Sequence, residues 1–390
     1  MKKTLLLLPI LLLFIGTSLQ AQYFSYGAKL GLSFPGFQEE TIASERITPA
    51  FSFLGRFARE KQKKPHLITV MAGCVAQQEG EKAFARVPHL DIVLGTQAFS
   101  RFAQHLDALK SGKRQIVDIG ESDMIFEAMP TVTLSDQSGV DENKISKFIT
   151  IMQGCDNYCT YCVVPYVRGR ERSRSHTAIV DEITLLANKG IREITLLGQN
   201  VNSYGVKEEG ISFPQLLERV SQVKGIARIR FATSHPKDLS LELIHAIRDI
   251  DKVCNHLHLP VQSGSNKILK KMNRGYTRET YIERINTLKK VCPDISLSTD
   301  IIVGFPGETL EDFDDTMELL KAIEFDSIFA FAYSDRSSAP AAKFSDQVEE
   351  AEKKRRLNLL LALQDVYTDK RNKSLVGKSI QVLVEGESLK

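Results

Sequence analysis

Three of the six cysteines stand in one short run, Ile151-Met-Gln-Gly-Cys155-Asp-Asn-Tyr-Cys159-Thr-Tyr-Cys162-Val-Val-Pro165, a CxxxCxxC spacing that offers three thiolates and no fourth. A structural zinc site takes four protein ligands in a closed tetrahedron, whereas an iron-sulfur cluster on three cysteines leaves one iron open to another ligand. The spacing therefore predicts an open, reactive 4Fe-4S site, with Cys155, Cys159 and Cys162 as metal ligands and catalytic centre. Three plainer readings compete: a disulfide-forming pair, a zinc knuckle with a distant fourth ligand, and buried free thiols that happen to be close. None accounts well for the spacing, since no CxxC partner and no HxxxH lies nearby.

Such a site needs a scaffold, and the chain from residue 147 onward has the pattern of one. Apolar strand candidates fall at 148–151, 193–197, 228–232, 256–261, 295–303 and 328–333, separated by helices. In the first of these helices Ser175 is placed to cap, Ile179, Ile183, Leu186 and Ala187 line one face at helical spacing, and Lys189-Gly190 ends it. The helix at 309–325 has acidic residues in its first turn, where the helix dipole favours them. These βα units predict an α/β architecture with a partial (β/α)6 barrel over 141–372, whose chemistry sits on loops at the C-terminal ends of the strands. The three cysteines lie just past the first strand, where that rule puts them.

Residues 50–125 read as a smaller α/β unit, with a basic helix at 51–64, strands at 67–71 and 91–95, a helix at 78–86 after the turn at Gly73-Cys74, and a helix at 99–109. That alternation implies a parallel sheet. Residues 111–146 read as a connection. A long charged helix at 349–369 carries an apolar patch of Leu357, Leu359, Leu360, Leu361 and Leu363 and is expected to pack back on the barrel. The stretch 378–385 alternates like the first strand of a small β domain at 375–390, and one strand cannot form a domain.

With 390 residues the chain has material for two or three domains. Fifty-one Lys and Arg against forty-eight Asp and Glu give a formal charge of +3, too near balance to argue for nucleic acid, so local clusters must carry that argument. Arg168, Arg170, Arg172 and Arg174, interrupted by Glu171, form such a cluster directly after the cysteines. It reads either as a solvated charge run or as phosphate contacts to a nucleic-acid backbone. His256 and His258 alternate on one strand without a carboxylate to complete a metal site, and Cys254 and Cys292 read as buried free thiols. Thiolate ligands favour a reducing compartment. The N-terminus conflicts: Met1-Lys2-Lys3, an apolar run to Gly16 and Thr17-Ser-Leu-Gln-Ala21 have the three regions of a secretory signal peptide, too short for a membrane span. Residues 22–49 then read as an atypical linker or as the first strand of an outer-membrane barrel. The expectation is a cytoplasmic protein with no stable membrane association, secreted or periplasmic being the alternative.

The run from Gly154 to Arg174 resembles the radical motif of the S-adenosylmethionine-dependent methylthiotransferases, specifically the tRNA isopentenyladenosine branch, and Tyr161 directly before the last cysteine belongs to that pattern. Further runs agree: Leu197-Gly-Gln-Asn-Val-Asn-Ser-Tyr204, Phe231-Ala-Thr-Ser-His-Pro236, His258-Leu-Pro-Val-Gln-Ser-Gly-Ser265, Lys271-Met-Asn-Arg-Gly-Tyr276 and Asp300-Ile-Ile-Val-Gly-Phe-Pro-Gly-Glu308. The ribosomal-protein and threonylcarbamoyladenosine branches differ at Gly198-Gln-Asn-Val-Asn202. The resemblance runs from about residue 50 to 390 and implies a flavodoxin-like domain with three cysteines for a second cluster, the radical barrel, and a C-terminal TRAM β-barrel that grips tRNA. Here the first domain and the TRAM domain read as truncated. The implied activity adds a methylthio group to C2 of isopentenyladenosine beside the anticodon, with S-adenosylmethionine supplying both the methyl group and the radical. Flavodoxin or ferredoxin would donate electrons, and the protein would be a monomer. The alternative is an exported or non-catalytic chimera that keeps the barrel as a scaffold.

Residue roles follow from the resemblance and from placement at strand ends. Tyr161 would touch the adenine of S-adenosylmethionine, or is merely a packed aromatic. Gly198, Gln199 and Asn200 would approach the methionine amino group, or form a plain turn. Gln262 and Ser263 would face the ribose or carboxylate, or cap a loop. Gly304 opens a run that would wrap the adenine with backbone groups, although Gly and Pro are ordinary turn formers. Ser234 and Asp300 join the cofactor contacts through their motifs. Cys74, in Ala72-Gly-Cys-Val-Ala-Gln77, matches the third cysteine of the second cluster; the other two have no counterpart, and one thiolate cannot hold a cluster.

Overall fold

The computed structural model describes residues 11–14, 47–121, 145–207 and 210–384. The chain divides into two compact units, residues 1–126 with 166–169 in one and nearly all the remainder in the other.

In the first unit, β1 (Leu11–Phe14), β2 (Thr69–Ala72), β3 (Ile92–Leu94) and β4 (Ile116–Asp118) pair in parallel in chain order. Its helices are α1 (Ile47–Lys63), α2 (Cys74–Glu79), α3 (Lys82–Arg86) and α4 (Phe102–Lys110). Strands β2 and β3 are buried at every residue, as a parallel sheet covered on both faces requires. Alternation divides their side chains: Met71 and Val93 pack with Leu54, Val75 and Ala83, while Val70, Ala72, Ile92 and Leu94 pack with Ala98 and Ile116. The single helix expected at 78–86 is instead two short helices, because Gly80 takes φ +52° and breaks the run. Strand β1 lies within the apolar run that reads as a signal segment. The rest of residues 1–46, with the signal-like and barrel-strand expectations that fall on them, lies outside the described residues.

The second unit contains β5 (Ser146–Thr150), β6 (Met152–Gln153), α5 (Val164–Arg168, shared with the first unit from Tyr166), β7 (Arg172–Ser173), α6 (His176–Asn188), β8 (Glu193–Leu197), α7 (Phe213–Ser221), β9 (Arg228–Phe231) and α8 (Leu241–Asp249). It continues with β10 (His256–His258), α9 (Asn266–Lys271), α10 (Arg278–Val291), β11 (Ser296–Val303), α11 (Leu310–Ile323), β12 (Ser327–Ala332) and α12 (Glu350–Leu375). Strands β5-β8-β9 and β10-β11-β12 form two parallel triplets, joined by a bridge between Ile229 and Val253. This is the expected partial (β/α)6 barrel. Strand residues Ile149, Ile194, Leu196, Ile229, Leu257 and Ile301 share one core with the inward faces of α6, α7, α8, α10 and α11.

Helix starts are set by capping side chains. Ser212 with Gln215 and Thr309 with Asp312 form capping boxes, and Ser240, Ser265 and Thr277 accept from the third residue on. Ser175 stands at the N-cap of α6, but its hydroxyl meets Thr177 Oγ1 at 2.7 Å and caps nothing. Residues 378–384 form no strand, contrary to the alternation there, since no partner strand lies beside them among the described residues.

Candidate active site

The cysteine loop is bracketed by β6 and β7, which pair antiparallel, and leaves the barrel just after β5. Left-handed turns at Gly154 (φ +80°) and Tyr158 (φ +46°) make it compact. Residues from far along the chain hold it. Asn273 Nδ2 donates to the carbonyls of Asn157 (3.2 Å) and Tyr158 (3.1 Å), and Thr160 donates to the carbonyls of Met272 (3.1 Å) and Lys271 (2.9 Å). Arg274 Nη1 donates to Cys159 Sγ at 3.3 Å and to the Tyr161 hydroxyl at 3.2 Å. The Val164 N–H points at Cys162 Sγ at 3.4 Å.

All six cysteines are free thiols, which removes the disulfide reading. Burial pushes the Cys155 thiol up to about 12 and the Cys162 thiol up to about 11, and the neighbouring cysteines add to both as like charges. The loop by itself thus resists holding its thiols as thiolates. A cationic metal reverses that preference, because a coordinating thiol is deprotonated outright. Among the described residues no three His, Cys, Asp or Glu side chains close around a single ion. A 4Fe-4S cubane does not ask for that, since each cysteine binds a different iron. Three thiols on one loop, with N–H donors already aimed at two of the sulfurs, fit that group.

The strand-end residues sort into two sets. Several spend their polar atoms on the protein itself. Gln199 Oε1 accepts from the Gly154 N–H at 2.7 Å and so braces the cysteine loop. The hydroxyl of Ser263 meets Thr316 Oγ1 (3.4 Å) and accepts from the Ser265 N–H (3.2 Å), as a loop cap does. Tyr161 is a packed aromatic whose hydroxyl is fixed by Arg274. Gln262, at φ +74°, joins its main chain to Asp300 and Ile302. A Cβ on Gly198 would stand 2.3 Å from Met152 Cγ, so that glycine serves close packing. Gly304 takes φ +69° and donates to Glu308 Oε1 at 2.8 Å. Asp300 is the exception in this set, since its Oδ1 lies 3.3 Å from His258 Nε2 but is buried without a hydrogen-bond partner. His256 and His258 both meet Ser298 Oγ, a polar core contact and no metal site.

The second set is left with buried atoms that bond nothing. Asn200 Nδ2 donates to Asp238 at 2.7 Å while its Oδ1 has no partner, and Ser234 Oγ has none either. His235 Nδ1 accepts from the Lys237 N–H at 3.3 Å, which puts the ring proton on Nε2, also unpartnered. Burial, with Arg274, Lys237 and Arg284 nearby, drives the His235 pKa far down, so the ring is neutral. These atoms follow the C-terminal ends of the adjacent strands β8 and β9. Unpaired buried polar atoms are costly, so these three strand-end atoms are ones for which the protein itself supplies no partner. His235 and Arg274 were not among the residues singled out from sequence. Both sit inside the motif runs 231–236 and 271–276, the available signal.

The arginine cluster divides. Arg174 is 8% exposed, donates to the Thr150 carbonyl at 2.6 Å and pairs with Glu182 at 2.8 Å, so its charge is spent inside and it is no phosphate contact. Arg170 is 71% exposed and meets Asp156 at 2.9 Å. Arg172 is half-buried on β7, and the Arg168 carbonyl accepts from Gln97 at 3.2 Å within the first unit. Cys74 begins α2, buried, and every other cysteine follows residue 154, so it has no companion thiol in the first unit.

Residues 149–320 match the model of the Radical SAM superfamily. A tRNA-2-methylthio-N(6)-dimethylallyladenosine synthase from Desulfosudis oleivorans is 51% identical over 348 residues, 89% of this chain and 74% of that protein. Proteins of the same name from Geotalea uraniireducens and Clostridium botulinum are each 49% identical, over 89% and 86% of this chain and 77% and 74% of their own length. Among solved structures, the radical S-adenosylmethionine methyltransferase TsrM from Kitasatospora setae, with tryptophan substrate and a SAM analog bound, superposes with a TM-score of 0.55 at 16% identity, over 76% of this chain and 60% of that one. The cobalamin-dependent S-adenosylmethionine radical enzyme OxsB does so with a TM-score of 0.52 at 14% identity, over 85% of this chain and 47% of that one. At these identities the two structures speak for the barrel fold alone, while the curated relatives speak for descent. With half its residues identical over three quarters of its relatives' length, and the three-cysteine loop at the mouth of a (β/α)6 barrel, the chain belongs to the tRNA-2-methylthio-N(6)-dimethylallyladenosine synthase family of radical SAM enzymes.

Proposed function

We propose that the protein is a radical S-adenosylmethionine methylthiotransferase that adds a methylthio group to C2 of isopentenyladenosine beside the anticodon of tRNA. The observation that carries this reading is the cysteine loop, three ligands and no fourth, set beside the unpartnered Asn200, Ser234 and His235 in a chain half identical to its relatives. When bound, the cluster and S-adenosylmethionine supply hydrogen-abstracting radical chemistry that belongs to the cofactors and is only positioned by the protein.

In this reading Cys155, Cys159 and Cys162 would hold the cluster, which would leave one iron without a protein ligand and open to S-adenosylmethionine. Asn200 Oδ1 accepts from a ligand N–H or O–H, His235 Nε2 donates, and Ser234 Oγ does either. The loop 304–308 would take the adenine. Arg170 and Arg172 contribute phosphate contacts to tRNA, and a low-potential flavodoxin or ferredoxin supplies electrons. A tRNA substrate implies work in the cytoplasm; no helix among the described residues is long and apolar enough to cross a membrane.

Cys74 offers one thiolate toward a second cluster, which separates radical generation from sulfur insertion. Anaerobic reconstitution followed by iron and sulfide counts, with an assay for S-adenosylmethionine cleavage, tests the reading. About four irons per chain with cleavage supports a single radical cluster, about eight overturns the single-cluster part, and none overturns the whole.

A further inference from the structure

Arg274 is a buried cation with an unusual set of neighbours. It is 4% exposed, and among the described residues no carboxylate lies within ion-pair distance of it. Its Nη1 donates to Cys159 Sγ at 3.3 Å and to the Tyr161 hydroxyl at 3.2 Å, its Nε to the Tyr276 hydroxyl at 3.0 Å, and its Nη2 to the Pro260 carbonyl at 2.7 Å. The guanidinium carbon also sits 5.4 Å from the centre of the Tyr276 ring. Such a charge is expensive to bury without a counter-ion, and no nearby group is an anion until Cys159 becomes a thiolate.

We propose that Arg274 is a positioning residue that ties the cysteine loop to the barrel wall and, by placing a fixed positive charge and an N–H donor on the Cys159 sulfur, makes the bound cluster easier to reduce. This rests on the cluster reading above. One-electron reduction, with the electron taken from dithionite in the assay and from a low-potential electron-transfer protein in the cell, adds one negative charge to the cluster and moves no atoms. A cation and a hydrogen bond at a ligand sulfur stabilise the more negative state more strongly, and a water-poor surrounding enlarges the difference. Removing the charge should therefore lower the reduction potential. The same guanidinium anchors the loop through the Pro260 carbonyl, which ties Cys159 to the residue two places beyond β10.

The test uses the anaerobically reconstituted full chain as wild type, R274Q and R274K, with circular dichroism for the fold, iron content for loading, and the cluster midpoint from a dithionite titration followed by electron paramagnetic resonance. R274Q is expected to fall at least tenfold in its reduction equilibrium, about 59 mV for one electron. R274K keeps a charge but cannot serve a sulfur, two phenols and a carbonyl at once, so a smaller fall is expected. A folded, iron-loaded R274Q with the wild-type midpoint overturns the proposal. If R274Q does not fold, R274K decides, and an unchanged midpoint there overturns it as well. Wild type without iron fails the cluster reading itself, a result distinct from loaded variants with an unshifted potential.

Discussion

Replacing Arg356 by Met should cost the barrel more than almost any other single change on α12. Its Nη1 lies 2.6 Å from Glu308 Oε1, with side-chain exposures of 6% and 1%, and it also donates to the carbonyls of Glu308 (3.1 Å) and Thr309 (3.3 Å). Glu308 Oε1 accepts in turn from the Gly304 N–H at 2.8 Å. The pair thus connects the last helix to the loop proposed to face the cofactor adenine. Removing one partner of a buried pair leaves the other uncompensated, a loss of about 3–5 kcal/mol. Burial already holds the Glu308 pKa above its usual range with the arginine present, and without it the carboxyl must rise further. A carboxyl with a raised folded-state pKa contributes stability below its ordinary value and loses it as pH rises through the raised one. The loss in R356M should therefore be larger at pH 8 than at pH 5. Urea unfolding at the two pH values, with the double variant R356M/E308Q beside the single, measures this. Because the double variant buries no orphaned charge, it should recover part of the loss, with a coupling of about 0.5–3 kcal/mol. A single-variant loss below about 1 kcal/mol, or one equal at both pH values, would refute the reasoning.

In the first unit, the hydrogen bond from Arg101, helped by His105, holds Asp118 at about 2, so its stability contribution is present above the usual carboxylate range and vanishes as pH falls through about 2. Asp118→Asn should lower neutral-pH stability and flatten acid unfolding below pH 4, checked by circular dichroism; an unchanged acid profile would count against it. Gly304→Ala forces a Cβ to 2.3 Å from Lys353 Cγ at φ +69°, adding about 1–2 kcal/mol of backbone strain. It should weaken S-adenosylmethionine binding by calorimetry, and wild-type affinity would argue against a role for that loop. Arg170→Gln with Arg172→Gln should reduce the slope of log tRNA affinity against log salt by roughly 1–2, whereas Arg174→Gln should destabilise the fold instead. Equal slopes in wild type and double variant would remove these arginines from the interface. Cys155→Ala should abolish stable iron loading, and retention of about four irons would exclude that thiol as a ligand.

The chain's own order of residues determined the cysteine loop, the six parallel strands and the helices between them. The proposal that 155, 159 and 162 hold a cluster rests on local spacing, and buried parallel strands such as Glu193–Leu197 announce themselves as apolar runs. Local signals also erred locally, at Gly80, where a positive φ splits an expected helix, and at Ser175, whose hydroxyl turns to Thr177. Tertiary structure alone decided where polar atoms are spent. Gln199 and Arg174 share motif runs with cofactor and tRNA candidates, yet one bonds Gly154 and the other Glu182. Arg274 reaches a cysteine 115 positions earlier, and Ser234 and His235 keep buried atoms unpaired beside β8 and β9. Residue type and spacing name which groups can bond. Whether a given group bonds the protein or waits for a ligand depends on neighbours that the barrel brings together from distant strands, and no local pattern encodes their distances.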